Sequence, residues 1–145
     1  MIKMWKFLCA FVTLTLIKAS ANDSCKILFN KQIVFKGEVD RETSVASIKA
    51  KKFTNKDCIT IIYNSENTNR GWSRTFYING PDEKNLKTIS IGKQSGSVGV
   101  KATVLNEMKT KKEPIFIYTT SLPTDKEMAA RIRVRRMLIC KIEWN

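Results

Sequence analysis

Histidine is absent from all 145 residues. With it go the usual general base at neutral pH, the commonest zinc and copper ligand, and any Ser-His-Asp or Cys-His catalytic pair. No metal site is expected. Negative charge is also sparse, 13 Asp and Glu against 26 Lys and Arg. The carboxylate pairs close in sequence are Asp40 with Glu42, Asp82 with Glu83, and Asp125 with Glu127. Each falls in a turn rich in basic residues, the setting of a solvated loop and not of an acid–base pair. Glycine is scarce as well, with 6 residues, and the cluster Gly92, Gly96 and Gly99 lacks the Gly-Lys-Ser/Thr order of a phosphate loop. It reads as a flexible hairpin loop. The chain is therefore expected not to be an enzyme and to need no cofactor.

Long hydrophobic runs are missing except at the start, where Phe7 to Ile17 are uncharged and flanked by Lys3, Lys6 and Lys18. The run is about half the roughly 20 residues that span a bilayer. Ala19-Ser20-Ala21 supplies the small-residue cleavage pattern of a secretory leader, so residues 1–21 are expected to be a signal peptide and 22–145 one exported domain, secreted or periplasmic. No transmembrane segment is expected in the mature chain. Three lysines leave with the leader, giving 23 basic and 13 acidic residues and a net charge of +10. Asn22-Asp23-Ser24 forms a glycosylation sequon beside the cleavage point, meaningful only in a eukaryotic secretory pathway.

Cys25, Cys58 and Cys140 remain, an odd number for an oxidising compartment. Alternation points Cys25 and Cys140 into the core, making them the candidate disulfide; three buried free thiols are the alternative.

Period-two alternation recurs along the mature chain and no segment holds a sustained 3.6-residue stripe, which predicts an all-β domain. The strands expected are 26–36 with a break near Asn30, 45–53, 58–63, 74–78, 86–91, 98–105, 115–120 and 131–144. Asn, Asp, Gly, Pro and Ser fill the intervals between them. Seven or eight short strands without crossover helices predict a two-sheet antiparallel sandwich, immunoglobulin-like in arrangement, with a small barrel or jelly roll as alternatives. One short helical turn is expected near 124–130, from the capping pattern Thr124-Asp125-Lys126-Glu127.

Arg131, Arg133 and Arg135 alternate with Ile132 and Val134, so a strand here would line three guanidiniums along one face. Their spacing of about 7 Å suits successive anionic groups of a polymer. Arg136 breaks the pattern and predicts a bulge beside it. Lys49 and Lys51 repeat the alternation on a second strand, and Arg70-Gly71-Trp72-Ser73-Arg74 sets an indole between two guanidiniums. These eight residues are the candidate ligand-binding set. The function they imply is a non-enzymatic binding module for an acidic macromolecule: a glycan, a nucleic acid or an anionic envelope component. Two other classes fit the same sequence. One is an envelope assembly component that binds a protein partner through sheet edges. The other is an inhibitor that inserts the 64–71 or 92–97 loop into an enzyme.

Overall fold

The computed structural model describes residues 22–41, 44–67 and 70–145. The expected signal peptide and its cleavage point after Ala21 lie outside these residues. Two sheets face each other. The first has strand order β2-β1-β4-β7 and the second β3-β9-β8-β5-β6. Their strands are β1 (Ser24–Phe29), β2 (Gln32–Glu38), β3 (Val45–Ile48), β4 (Cys58–Asn64), β5 (Trp72–Asn79), β6 (Asn85–Ile91), β7 (Gly96–Lys101), β8 (Ile115–Pro123) and β9 (Met137–Trp144). An all-β sandwich is the architecture, as the alternation predicts.

The expected break at Asn30 is a two-residue hairpin turn. Asn30 and Lys31 take φ of 47° and 70°, the left-handed pair that such a turn requires and that asparagine tolerates well. Inward positions alternate along each strand: Cys25 and Ile27 on β1, Ile59, Ile61 and Tyr63 on β4, Phe76 and Ile78 on β5. At one end of the sandwich Phe53 closes the core, its ring centroid 5.4 Å from Phe29 and 5.1 Å from Trp144.

Several expectations are corrected. The sandwich is not wholly antiparallel: β3 pairs parallel to β9, Val45 with Lys141 and Ile48 with Trp144. The chain crosses to the second sheet between β2 and β3, where Asp40 N donates to Leu138 O and Lys141 N to Ser44 O, both at 2.8 Å, and it then runs alongside β9. Strand β3 also ends five residues early. Residues Ala50–Lys52 form a 3-10 turn, because Phe53 must swing inward to reach Phe29 and Trp144.

The expected strand 98–105 stops at Lys101 and becomes the helix α1 (Ala102–Lys111). Ala102, Leu105 and Met108 recur every three residues and all are buried, one helical face closing the same end of the core.

The last expected strand begins at Met137 instead of residue 131. Residues Lys126–Arg131 form a second helix, α2, at the place of the predicted turn. Asp125, not Thr124, caps it by accepting from Met128 N at 2.8 Å; the Thr124 hydroxyl donates to Gly71 O at 2.9 Å. Residues 132–136 then cross the outer face of the second sheet, where the Arg136 guanidinium lies 4.0 Å from the Tyr118 ring centroid. Tyr77 and Tyr118 are cross-strand partners, so their paired rings offer the guanidinium a platform that a continued strand would deny it. The bulge expected beside Arg136 is not there, because Arg136 precedes the strand; the irregularity of the ladder falls at Ile139, between the pairs Leu138–Tyr118 and Cys140–Ile117.

Finally, Cys25, Cys58 and Cys140 are free thiols, with no pair at disulfide distance. Cys25 and Cys140 are buried on opposite sheets, and each Sγ donates to the carbonyl of the next residue, at 3.7 and 3.3 Å. A bridge needs the two Cβ–Sγ bonds aimed at each other, and here each thiol turns instead to the backbone of its own strand. No helix among the described residues is long and apolar enough to cross a membrane.

Candidate functional site

The end of the sandwich away from Phe53 gathers the connection β4–β5, the connection β6–β7 and the segment before Ser24. Arg74 organises it. On β5 it shares the inward face with Phe76 and Ile78, so its side chain, 2% exposed, enters the core. Buried charge is tolerable only when it is paired and hydrogen-bonded. Nε donates to Gln94 O at 2.7 Å, Nη2 to Gln94 Oε1 at 3.0 Å, and Nη1 to Thr119 Oγ1 at 3.2 Å. The counter-ion is Asp23, whose Oδ2 is 3.5 Å from Nη2 and accepts from the Tyr63 hydroxyl at 2.5 Å. Burial, the Asp23 hydrogen bond and the Asp23 charge all raise the Tyr63 phenol above its ordinary value, so it stays protonated and donates.

Asp23 also fixes the first loop. Its Oδ1 accepts from Ser65 Oγ at 3.2 Å and Glu66 N at 3.0 Å. Ser65 N donates to Ser95 Oγ at 2.8 Å, which fastens the first loop to the second, and Ser121 Oγ donates to Gln94 Oε1 at 2.8 Å. Gly71, at φ +78°, turns the chain into β5 while its carbonyl accepts from Thr124 N at 2.8 Å.

Between the two loops so held lies an open cleft of about 440 Å³. Arg70 and Lys93 supply its charge, Trp72 its aromatic wall, and Asn67, Gln94 and Ser95 its remaining polar groups; Gly71 and Gly92 complete the lining. No carboxylate is among the described residues that line it. Such a site can hold an anionic group between two cations while a flat, apolar ring face lies on the indole. Among the described residues no group of three or more Cys, Asp or Glu is placed to hold a metal ion.

The sequence-predicted residues divide accordingly. Arg70 and Trp72 line the cleft, and Arg74 stands behind it with its donors already engaged. Arg131 ends α2 and Arg133 follows in the irregular segment, so the three arginines do not form a strand-face row. Arg135 is paired with Asp40, beside the pair Glu38–Arg41. Lys49 and Lys51 lie past the far end of β3, level with Trp144, whereas the arginines precede Met137. Eight residues of β9, about 25 Å, separate the two groups, which therefore do not combine.

Lys93, Gln94, Asn67, Ser95 and Asp23 were not singled out as site residues. Four of them fall in the 64–71 and 92–97 loops already read as candidate insertion loops, and parity is the further signal: Arg74 shares the inward phase of Phe76 and Ile78, and a buried guanidinium implies partners from elsewhere. In comparisons with known proteins, the chain matches no family model, no curated protein and no solved structure.

Proposed function

We propose that this protein is an exported, non-catalytic binding module that holds an acidic saccharide in the cleft between the β4–β5 and β6–β7 loops. The observation that carries the reading is the composition of that cleft: an indole and two cations with no carboxylate among the described lining residues. A sugar ring presents an apolar face to Trp72 while its carboxylate or sulfate meets the Arg70 fork and the Lys93 ammonium. The hydroxyls meet the amides of Asn67 and Gln94. A cleft of this size admits one or two sugar units, and the buried network behind it holds the loops in place before the ligand arrives, which limits the ordering cost of binding. The mature net charge of +10 adds an attractive field at longer range. An immunoglobulin-like arrangement of the sandwich belongs to this proposal too, although binding is argued from the loops and not from the fold.

The test is calorimetric titration with oligogalacturonate, a sulfated oligosaccharide and a neutral oligosaccharide of equal length. Acidic oligosaccharides are expected to bind with an affinity that falls as salt rises, and Trp72→Ala or Arg70→Ala with Lys93→Ala to remove that binding. Equal affinity for the neutral oligosaccharide, or binding indifferent to those substitutions, refutes the reading.

A further inference from the structure

The outer faces of the two sheets differ. On the five-stranded sheet the 132–136 segment packs down through Arg136 onto Tyr118. The four-stranded sheet instead turns an apolar, lysine-bordered surface to solvent. Cross-strand register places its outward residues in rows. Lys36, Lys26, Ile62 and Ser97 lie side by side, followed by Ile33, Leu28, Thr60 and Gly99, and then Cys58 with Lys101. Ile33 is 58% exposed, the largest exposure among the big apolar side chains. Leu28 and Ile62 are half-buried and lie outside the core cluster. Lys36 and Lys101 are exposed at opposite edges, and Lys31 projects from the hairpin turn beside Ile33. None of these rows holds a carboxylate. Glu38 begins the next row, where it is paired with Arg41.

We propose that this face docks on an anionic lipid surface. The patch is about 15 Å across, four strands at 4.8 Å, and an exposed isoleucine ringed by lysines suits an anionic bilayer interface better than a polymer chain. Ile33 and Leu28 enter the headgroup boundary while Lys26, Lys31, Lys36 and Lys101 stay at phosphate level, long stems spanning the apolar rim and ammonium groups in water. The centre of the patch carries no amide, guanidinium or aromatic side chain, so it offers little to sugar hydroxyls or nucleobases. That separates it from the loop cleft, which lies at the end of the sandwich and is lined by an indole and amides. The proposal stands independently of the saccharide reading.

The experiment is co-sedimentation of residues 22–145, which contain every core residue among those described, with vesicles of phosphatidylcholine alone and of phosphatidylcholine with phosphatidylserine. Binding is expected only to the second, weakening as salt rises. Each lysine removed from a charged-lipid contact lowers partitioning about fivefold, so Lys36→Ala with Lys101→Ala lowers it about 25-fold. Ile33→Asp is expected to abolish it with the thermal midpoint unchanged, since the side chain is exposed. Equal sedimentation with both vesicles, binding that survives either variant, or no vesicle binding at all overturns the proposal. The last includes the case in which the face captures an acidic protein instead.

Discussion

The guanidinium of Arg74 lies 3.8 Å from the centre of the Tyr63 ring, across the interface between the two sheets. Both side chains then converge on Asp23, the tyrosine through its hydroxyl and the arginine through Nη2. A single residue before β1 thus completes a polar cluster built from both layers, and the cluster is the floor on which the two cleft loops rest. Charge inside this sandwich serves position: none of the arginine's nitrogens is left over for a ligand. The exposed cations of the cleft, Arg70 and Lys93, carry that duty instead.

Removing the arginine while keeping its partners exposes this dependence. Arg74→Ala removes the cation that faces Asp23 and the guanidinium donors to Gln94 and Thr119, and opens a void, so a loss of about 3 kcal/mol is expected. Arg74→Lys keeps charge but not the fork and is expected to lose about half as much. Urea denaturation at neutral pH measures both. A midpoint unchanged in Arg74→Ala contradicts the role given to the cluster.

Gly71 provides the second prediction. Its φ of +78° is a conformation that a Cβ opposes, while the nearest atom to an added Cβ, Thr124 Oγ1, stands 3.8 Å away. The penalty is therefore conformational and not steric crowding. Gly71→Ala is expected to cost about 1 kcal/mol of stability and to weaken acidic-saccharide binding through displacement of Arg70 and Trp72. A variant with parental stability and affinity shows that this corner is not under strain.

How far the sequence revealed this molecule depends on whether a signal was local. Strand alternation in 58–63 and 74–78 is local, and those strands appear with their ends extended by a residue or two. The helix α1 was hidden because Val98, Val100, Ala102 and Val104 continue a period of two straight through its start. The competing period of three in Ala102, Leu105 and Met108 becomes decisive only once the core end they cover is known. The arginine row was misread for a similar reason: 131–135 alternates correctly, yet the Tyr77–Tyr118 platform that draws Arg136 out of the strand is assembled from β5 and β8. Half the cleft was legible, since Arg70 and Trp72 are neighbours in sequence. Lys93 and Gln94 come from a loop about 20 residues on and join them only through Arg74 and Ser65.

Acid sensitivity is expected at the helix. Glu107 accepts from Lys111 at 2.9 Å and from Lys84 at 2.8 Å, and these hydrogen bonds and charges hold its carboxyl down from 4.5 to about 2. A depressed carboxyl stabilises the fold above pH 4.5 and loses that contribution as pH falls toward 2. The midpoint difference between the parent and Glu107→Gln is therefore expected to be present near neutrality and to shrink across that window. The side chain is solvent-exposed, so the effect is small, and added salt is expected to reduce it further. A difference that is constant with pH, measured by urea denaturation from pH 7 down to 2, assigns the variant's effect to something other than this ion pair.

Alkaline sensitivity is expected at the buried thiols. Burial is the main cause that raises Cys25 from 9.0 to about 12, with the neighbouring Cys140 adding to it, and burial likewise raises Cys140 to about 12. A thiol ionises at its ordinary value once the chain unfolds. The folded state therefore holds more protons between pH 9 and 12, and stability is complete below pH 9 and falls as pH rises through that window. The slope approaches about 1.4 kcal/mol per pH unit for each thiol, and Cys25→Ser is expected to shallow it. Reactivity follows the same logic. Cys58 is half-exposed on the outer face of its sheet, while Cys25 and Cys140 are buried and protonated. Iodoacetamide at pH 8 is therefore expected to label Cys58 alone in folded residues 22–145 and all three thiols in guanidinium, as read by intact mass. Rapid labelling of Cys25 or Cys140 in the folded protein contradicts their burial between the sheets. A mass two units low before labelling, with two thiols protected even in guanidinium, instead reveals a disulfide and overturns the finding that all three are free.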